Sequence, residues 1–299
     1  MAKPTNQATT VSTKKEGGQS SAPPSDAVSA KRASRPKLAV YKFASCDGCQ
    51  LALLSVEDKL LTLADRVEIA YFLEASSKIV PGPYDIGIVE GSVTTEEDAH
   101  RIRQIRNDCG FLITIGACAT AGGIQALKNW GNVEAFIQQV YANPMYINSL
   151  ATSTAIAAHV KVDFELRGCP IDANQLVRVL GDVLAGRQPR VPRYSVCIEC
   201  KLRATVCVAV ARGIACLGPV TQAGCGALCP AYDRECFGCF GPQQKPNLVS
   251  LTNHLQQRGH VADQLVRLIR NFNSDASEFR QAGNALEQAR AGHSNTGSR

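Results

Sequence analysis

The sequence predicts an α/β fold in which a parallel sheet is flanked by helices and followed by a small cysteine-rich region. Three observations carry this prediction. Short apolar runs alternate with amphipathic segments between Lys37 and Leu184. The run Gly110–Ile115 is almost wholly apolar, the pattern of a strand covered on both faces. Eight of the thirteen cysteines fall within residues 197–239, where apolar residues no longer recur periodically.

Taken in order, Leu38–Phe43 reads as a first strand, followed by a short loop. A helix from Gln50 is predicted next, with Leu51, Leu54 and Leu61 on one face. Val67–Phe72 and Tyr84–Val89 read as the next two strands. Thr95 opens a helix, because Thr95-x-x-Asp98 has the spacing of a capping box and Ala99, Ile102 and Ile105 share a face. Gly110–Ile115 is the buried strand, Asn132–Val140 a helix, Val160–Leu166 a strand and Asp172–Leu184 a helix. Strands separated by helices imply parallel pairing with right-handed crossovers. Pro189 and Pro192 mark a boundary. The domain organisation is therefore a basic tail over 1–36, a sheet domain over 37–188, a cysteine-rich domain over 189–245 and a helical extension over 246–299. In the extension Val261, Leu265, Leu268, Ile269 and Phe272 form an amphipathic face that can dock on the body or on a partner.

Composition narrows the function. With 45% hydrophobic and 19% charged residues among 299, the chain can bury a core. Its net charge of +6 is local, since residues 1–42 hold eight Lys/Arg and two acidic residues while the remainder balances at 24 of each. That excludes a basic nucleic-acid face on the globular part. After Met1 the tail has only Val11 and Val28 as large apolar residues, too little to offset its ordering entropy, so disorder is expected there. The stretch Phe111–Ile124 falls short of the roughly 18 residues of a membrane span and is broken by Gly116, Gly122 and Gly123. The N-terminus shows neither an apolar signal region nor a twin-arginine pair before an apolar run. Cytoplasmic localisation is expected, with thiols that stay reduced and bind metal.

The cysteines form two sets. Cys46 and Cys49 follow the first strand, Cys118 follows the buried strand and Cys169 follows the strand ending at Leu166. All four then sit past the carboxyl ends of strands, where open parallel sheets bind ligands. Four thiolates there suit a 4Fe–4S cluster, with Gly48, Gly116 and Gly168 letting N–H groups approach the sulfurs. Taken alone, Cys46-x-x-Cys49 also fits a thioredoxin-type redox pair. The second set is Cys197, Cys200, Cys207, Cys216, Cys225, Cys229, Cys236 and Cys239. Eight ligands make two four-thiolate sites, either iron–sulfur clusters or structural zinc sites, and their division is open. Cys109 is left over and reads as a packing thiol. Lys201 and Arg203, near Cys200, are either solvated charges or cations that raise a neighbouring potential. The five histidines show no paired spacing, and the loop Gly116–Gly123 lacks the glycine order of a dinucleotide site, so NAD and FAD are not expected on this chain.

The runs Phe43–Leu51, Val89–Ser92, Ile115–Ala119 and Arg167–Pro170 resemble the small subunit of NiFe hydrogenases. The later runs around Cys197, Cys216–Pro230 and Cys236–Pro242 resemble the cytoplasmic NAD(P)-coupled group that includes the sulfhydrogenase delta subunits, so that the likeness spans about residues 37–242. This resemblance implies a flavodoxin-like domain with a proximal 4Fe–4S cluster on Cys46, Cys49, Cys118 and Cys169, then two more clusters on the eight later cysteines. It implies an electron-transfer role beside a NiFe large subunit, together with flavin/NAD(P)-binding and additional iron–sulfur diaphorase subunits, and no hydrogen splitting by this chain alone. It also singles out Glu90, as a positioning or proton-moving group or as a loop acid. A related alternative is the cluster-bearing subunit of a quinone-reducing complex, whose members carry adjacent cysteines at 46–49 and lack the eight-cysteine domain. A zinc-stabilised interaction module is the alternative from a different class.

Overall fold

The computed structural model describes residues 35–296, so the disorder expected over residues 1–36 falls almost wholly outside the described residues. Five strands, β1 (Lys37–Lys42), β2 (Glu68–Phe72), β3 (Tyr84–Glu90), β4 (Cys109–Ile115) and β5 (Phe164–Leu166), pair in parallel in the order β2-β1-β3-β4-β5. This is the flavodoxin-like order, in which the strand sequence reverses between β1 and β3 and opens a crevice at their carboxyl ends. The helices threaded between the strands are α1 (Gly48–Leu54), α2 (Glu57–Ala64), α3 (Glu96–Asp108), α4 (Gly116–Ala121) and α5 (Val133–Val140), and α6 (Ala173–Leu184) follows β5.

Alternation along each strand loads both faces of the sheet. Leu38, Val40, Ile86, Ile88, Ile113 and Ile115 pack against Leu53 of α1, Leu63 of α2 and Leu176, Val179 and Leu180 of α6. On the other face Ala39, Tyr41, Val89 and Leu112 meet Ile102 and Ile105 of α3 and Ala119 of α4. Each fully buried Leu or Ile here contributes roughly 1.5–3 kcal/mol. The capping box at Thr95 and Asp98 forms as predicted, with the hydroxyl accepting the Asp98 N–H and the carboxylate accepting the Thr95 N–H.

Two predicted elements differ. The helix from Gln50 is two helices broken at Ser55 and Val56, and Leu51 and Leu61 are 60% and 67% exposed. Cys49 and Gln50 turn inward toward the sheet edge and set the buried face of α1, which rotates Leu53 rather than Leu51 into the core. The strand predicted over Val160–Leu166 shrinks to Phe164–Leu166. Just before it, the Asp163 side chain accepts the Leu112 N–H at 2.8 Å and the Arg106 guanidinium at 2.6 Å.

After Pro192 the chain forms α7 (Val196–Leu202), α8 (Val208–Arg212) and α9 (Leu228–Ala231), with Val196, Val208, Cys216, Ala227 and Cys236 as their small buried core. The extension forms α10 (Leu248–Gln257), α11 (Ala262–Ile269) and α12 (Ser277–Thr296). Its amphipathic face docks on the body. Leu265 and Ile269 join Leu217, Val220 and Phe279 in one core, whereas Val261 caps α11 and is exposed. A polar clasp reinforces this docking. Arg270 lies over the Trp130 ring at 4.5 Å and forks onto Glu287, while the Trp130 indole N–H donates to Asn284.

Cys109 opens β4 and is buried, and an alanine Cβ at Gly87 would lie 2.4 Å from its sulfur. Gly87→Ala should therefore cost about 1–3 kcal/mol through overpacking, and Cys109→Ala in the same chain should recover most of that loss in anaerobic denaturant unfolding. Burial alone would raise the Asp163 carboxyl, but the Leu112 N–H and Arg106 outweigh it and hold the group below its ordinary value. A carboxyl held low stabilises the fold above its ordinary pKa of about 4 and loses that contribution as pH falls through the lowered value. Asp163→Asn should cost about 1–3 kcal/mol at neutral pH and flatten the loss of stability in acid, measured as Tm against pH.

Candidate metal centres

The carboxyl edge of the sheet gathers the first cysteine set. Cys46 and Cys49 lie in the turn after β1 and the first turn of α1, Cys118 in α4 directly after β4, and Cys169 in the loop after β5, followed by a cis peptide to Pro170. Their sulfurs are near enough to oppose one another's ionisation. Cys118 and Cys169 raise Cys49, and Cys46 raises both Cys118 and Cys169. Burial is the larger cause in each case, pushing Cys49 well above the thiol range and Cys118 up to about 11. A thioredoxin-type pair needs the opposite, a lowered thiol pKa on a partly exposed sulfur.

Two glycines make room for these sulfurs. Gly116 has φ +84°, and a Cβ there would stand 2.5 Å from the Cys49 sulfur. Gly123, with φ +66°, has the same relation to the Cys118 sulfur. A side chain at either position would fill the space around a thiolate, and both backbones adopt the left-handed region that favours glycine.

Glu90 is a hydrogen-bonding acid at the end of a strand rather than in a loop. It ends β3, is 2% exposed, and its carboxylate accepts the Cys49 N–H at 3.0 Å and the Gln50 amide at 2.7 Å. Burial raises its pKa, and the Gln50 and Cys49 hydrogen bonds partly offset the rise. Sequence reasoning gave Gln50 no role, and it missed Gln125. The Gln125 side chain accepts from the Cys118 thiol and donates to the Ala44 carbonyl at 2.8 Å, tying the Cys118 loop to the Cys46 loop. Lone polar residues of this kind carry no spacing signal.

The eight later cysteines sort by neighbourhood. Cys197, Cys207 and Cys216 raise Cys200, and Cys207 and Cys216 also raise Cys197. Cys225 and Cys229 raise Cys239, Cys216 and then Cys239 raise Cys236, and Cys225 also raises Cys200 across the two neighbourhoods. Burial is again the first cause, taking Cys200 up to about 11 and Cys239 up to about 12. The two neighbourhoods touch where the Cys236 N–H donates to the Cys216 sulfur at 3.3 Å. The second also touches the first cysteine set, because the Cys169 N–H donates to the Cys239 sulfur. Asn273 of the C-terminal extension donates to the carbonyls of Gly238 and Cys239 at 2.9 and 3.0 Å, holding that ligand turn in place.

The candidate donors are thus all sulfur, on backbones carrying N–H groups aimed at several of the sulfurs. Among the described residues no group of three or more His, Cys, Asp or Glu is drawn together tightly enough for one metal ion. A single zinc needs four ligands at about 2.3 Å from one point, whereas a four-iron cube takes one thiolate per iron over a wider span. Among the described residues no helix is long and apolar enough to cross a membrane.

Residues 46–183 match the family model described as NADH ubiquinone oxidoreductase, 20 Kd subunit. The chain is 38% identical over 221 residues to sulfhydrogenase 2 subunit delta of Pyrococcus furiosus, a match covering 74% of this chain and 92% of that protein. It is 30% identical over 180 residues to the NAD-reducing hydrogenase HoxS subunit delta of Cupriavidus necator, covering 55% of this chain and 86% of that one. A solved chain of an NAD+-reducing NiFe hydrogenase in the H2-reduced state is 29% identical, covers 53% of this chain and 96% of its own length, and superimposes with a TM-score of 0.49. By its identity to the sulfhydrogenase subunit over most of both lengths, this chain belongs to the hydrogenase subunit family that includes the sulfhydrogenase delta subunits, a family of oxidoreductase subunits.

Proposed function

We propose that this chain is the electron-transfer subunit of a cytoplasmic NiFe hydrogenase, passing electrons between the NiFe centre of a large subunit and a flavin/NAD(P) module through three 4Fe–4S clusters. The observation that carries the proposal is the continuity of the sulfur contacts. Cys169 reaches Cys239, and Cys236 reaches Cys216, so the three cysteine groups adjoin in a file. Bound in these groups, each cluster would hold and release one electron at a time.

The proximal ligands are Cys46, Cys49, Cys118 and Cys169. Contact with Cys169 makes Cys225, Cys229, Cys236 and Cys239 the middle group, which leaves Cys197, Cys200, Cys207 and Cys216 as the outer one. The spatial order therefore inverts the chain order of the last two groups. The chain's own contribution is burial, N–H groups directed at sulfur and fixed ligand turns, the features by which proteins set cluster potentials.

Two exposed apolar surfaces suit the two partners. Ile124, Phe136, Val140, Met145 and Tyr146 lie in the segment following the Cys118 loop, where the large subunit would cover the proximal group. The exposed Leu202, Val206 and Val210 flank the exposed Cys207 in the chain, where the iron–sulfur or flavin subunit would receive electrons. The family model ends at residue 183, before Cys197, and its name brings the quinone-reducing relatives to mind. The eight further cysteines favour the hydrogenase reading.

In the assembled enzyme, Cys169→Ala should abolish hydrogen-dependent NAD(P) reduction while the large subunit retains hydrogen–deuterium exchange. Unimpaired NAD(P) reduction in that variant would overturn the proximal assignment.

A further inference from the structure

The outer and middle cysteine groups are joined by one side chain. Glu199 sits between Cys197 and Cys200 on α7, yet its carboxylate leaves its own group and reaches the Gly224–Ala227 loop that carries Cys225. Its Oε1 accepts the Gly224 N–H at 2.9 Å. Its Oε2 accepts the Ala227 N–H at 3.1 Å and lies 3.9 Å from the Cys225 sulfur. Arg203, which caps the same helix, donates to the Gly226 carbonyl of the same loop at 2.6 Å. One short helix therefore bears two ligands of the outer group and holds the Gly224–Ala227 loop of the middle group at three backbone positions.

The electrostatic consequence is directional. The charge of Glu199 opposes negative charge on Cys225, to which the Leu228 N–H donates and, shared with Glu199, the Ala227 N–H. A cluster on these thiolates becomes more negative when reduced, so a carboxylate beside one ligand disfavours the reduced form and lowers the potential. Glu199 also takes up N–H groups of the loop that could otherwise donate more fully to sulfur, which acts in the same direction. Arg203 offsets this effect only weakly, because its guanidinium is engaged by the Gly226 carbonyl and its charge is exposed to solvent, where it is screened.

We propose that Glu199 is a positioning residue that holds the middle cluster, on Cys225, Cys229, Cys236 and Cys239, at a lower potential than its thiolates alone would give. It also locks that ligand loop to the helix of the outer group. The inference rests on the three-cluster reading above. In that setting the Cys197-x-Glu199-Cys200 segment links two neighbouring redox sites.

The test is an EPR-monitored redox titration of the anaerobically purified assembled enzyme carrying Glu199→Gln, which keeps the side chain's size and removes its charge. One cluster should titrate at a higher potential than in the unmodified enzyme while the other two keep their midpoints and line shapes. The shifted signal should be the one altered or lost in Cys225→Ser. Glu199→Asp, which retains the charge, should stay closer to the unmodified enzyme, and it serves as the folded comparison if the Gln variant is unstable. Three unchanged midpoints in Glu199→Gln, or equal shifts in Gln and Asp variants, would overturn the role of Glu199 alone. Absence of three cluster signals in the unmodified enzyme would overturn the three-cluster reading, and this inference with it.

Discussion

Burial of sulfur is the constraint on which the rest of the molecule depends. Apart from the exposed Cys46 and Cys207, the thiols at the ends of strands and inside tight turns are buried or partly buried, and burial is the first cause of every resolved rise among them, from Cys49 to Cys239. A protein that wanted reactive thiolates would place a cation or a long helix N-terminus beside them. Here the sulfurs face glycines, backbone N–H groups and one another, with Glu90 and Glu199 close by. Such surroundings reward an inorganic cationic core that takes the charge of four thiolates at once, and they disfavour a lone ionised cysteine.

The sheet explains why the first group can assemble from segments more than a hundred residues apart. Parallel strands bring every following loop to the same edge, so Cys46, Cys118 and Cys169 meet although sequence separates them. The later groups have no sheet to organise them. Their turns are held by side chains from elsewhere: Glu199 and Arg203 from α7, Thr221 against Cys236, and Asn273 from beyond the cysteine-rich stretch. The C-terminal helices thus belong to the architecture of the ligand turns, fastened by the Arg270–Glu287–Trp130 clasp and by Phe279 packed near Gly238.

Much of this was legible in the sequence wherever the signal is local. The capping box at Thr95, the doubly covered strand ending at Ile115 and the helix capped by Asp172 each depend on neighbours within a few residues. The break at Ser55 and Val56 was not legible, because Leu51, Leu54 and Leu61 keep helical spacing across it and only the inward turn of Cys49 decides which leucine is buried. The contacts among the eight later cysteines were hidden for a related reason. Cys216 precedes Cys225 in the chain, but its sulfur meets the N–H of Cys236, a tertiary relation that spacing does not encode. Gln125, Glu199 and Asn273 act singly, and a single polar residue leaves no periodic trace.

The most direct test counts metal in native protein prepared without air, by iron and acid-labile sulfide analysis together with visible absorption before and after dithionite. The account predicts about twelve irons and about twelve sulfides per chain, with a broad absorption that bleaches on reduction. Colourless protein free of iron, or holding two zinc ions instead, would contradict it.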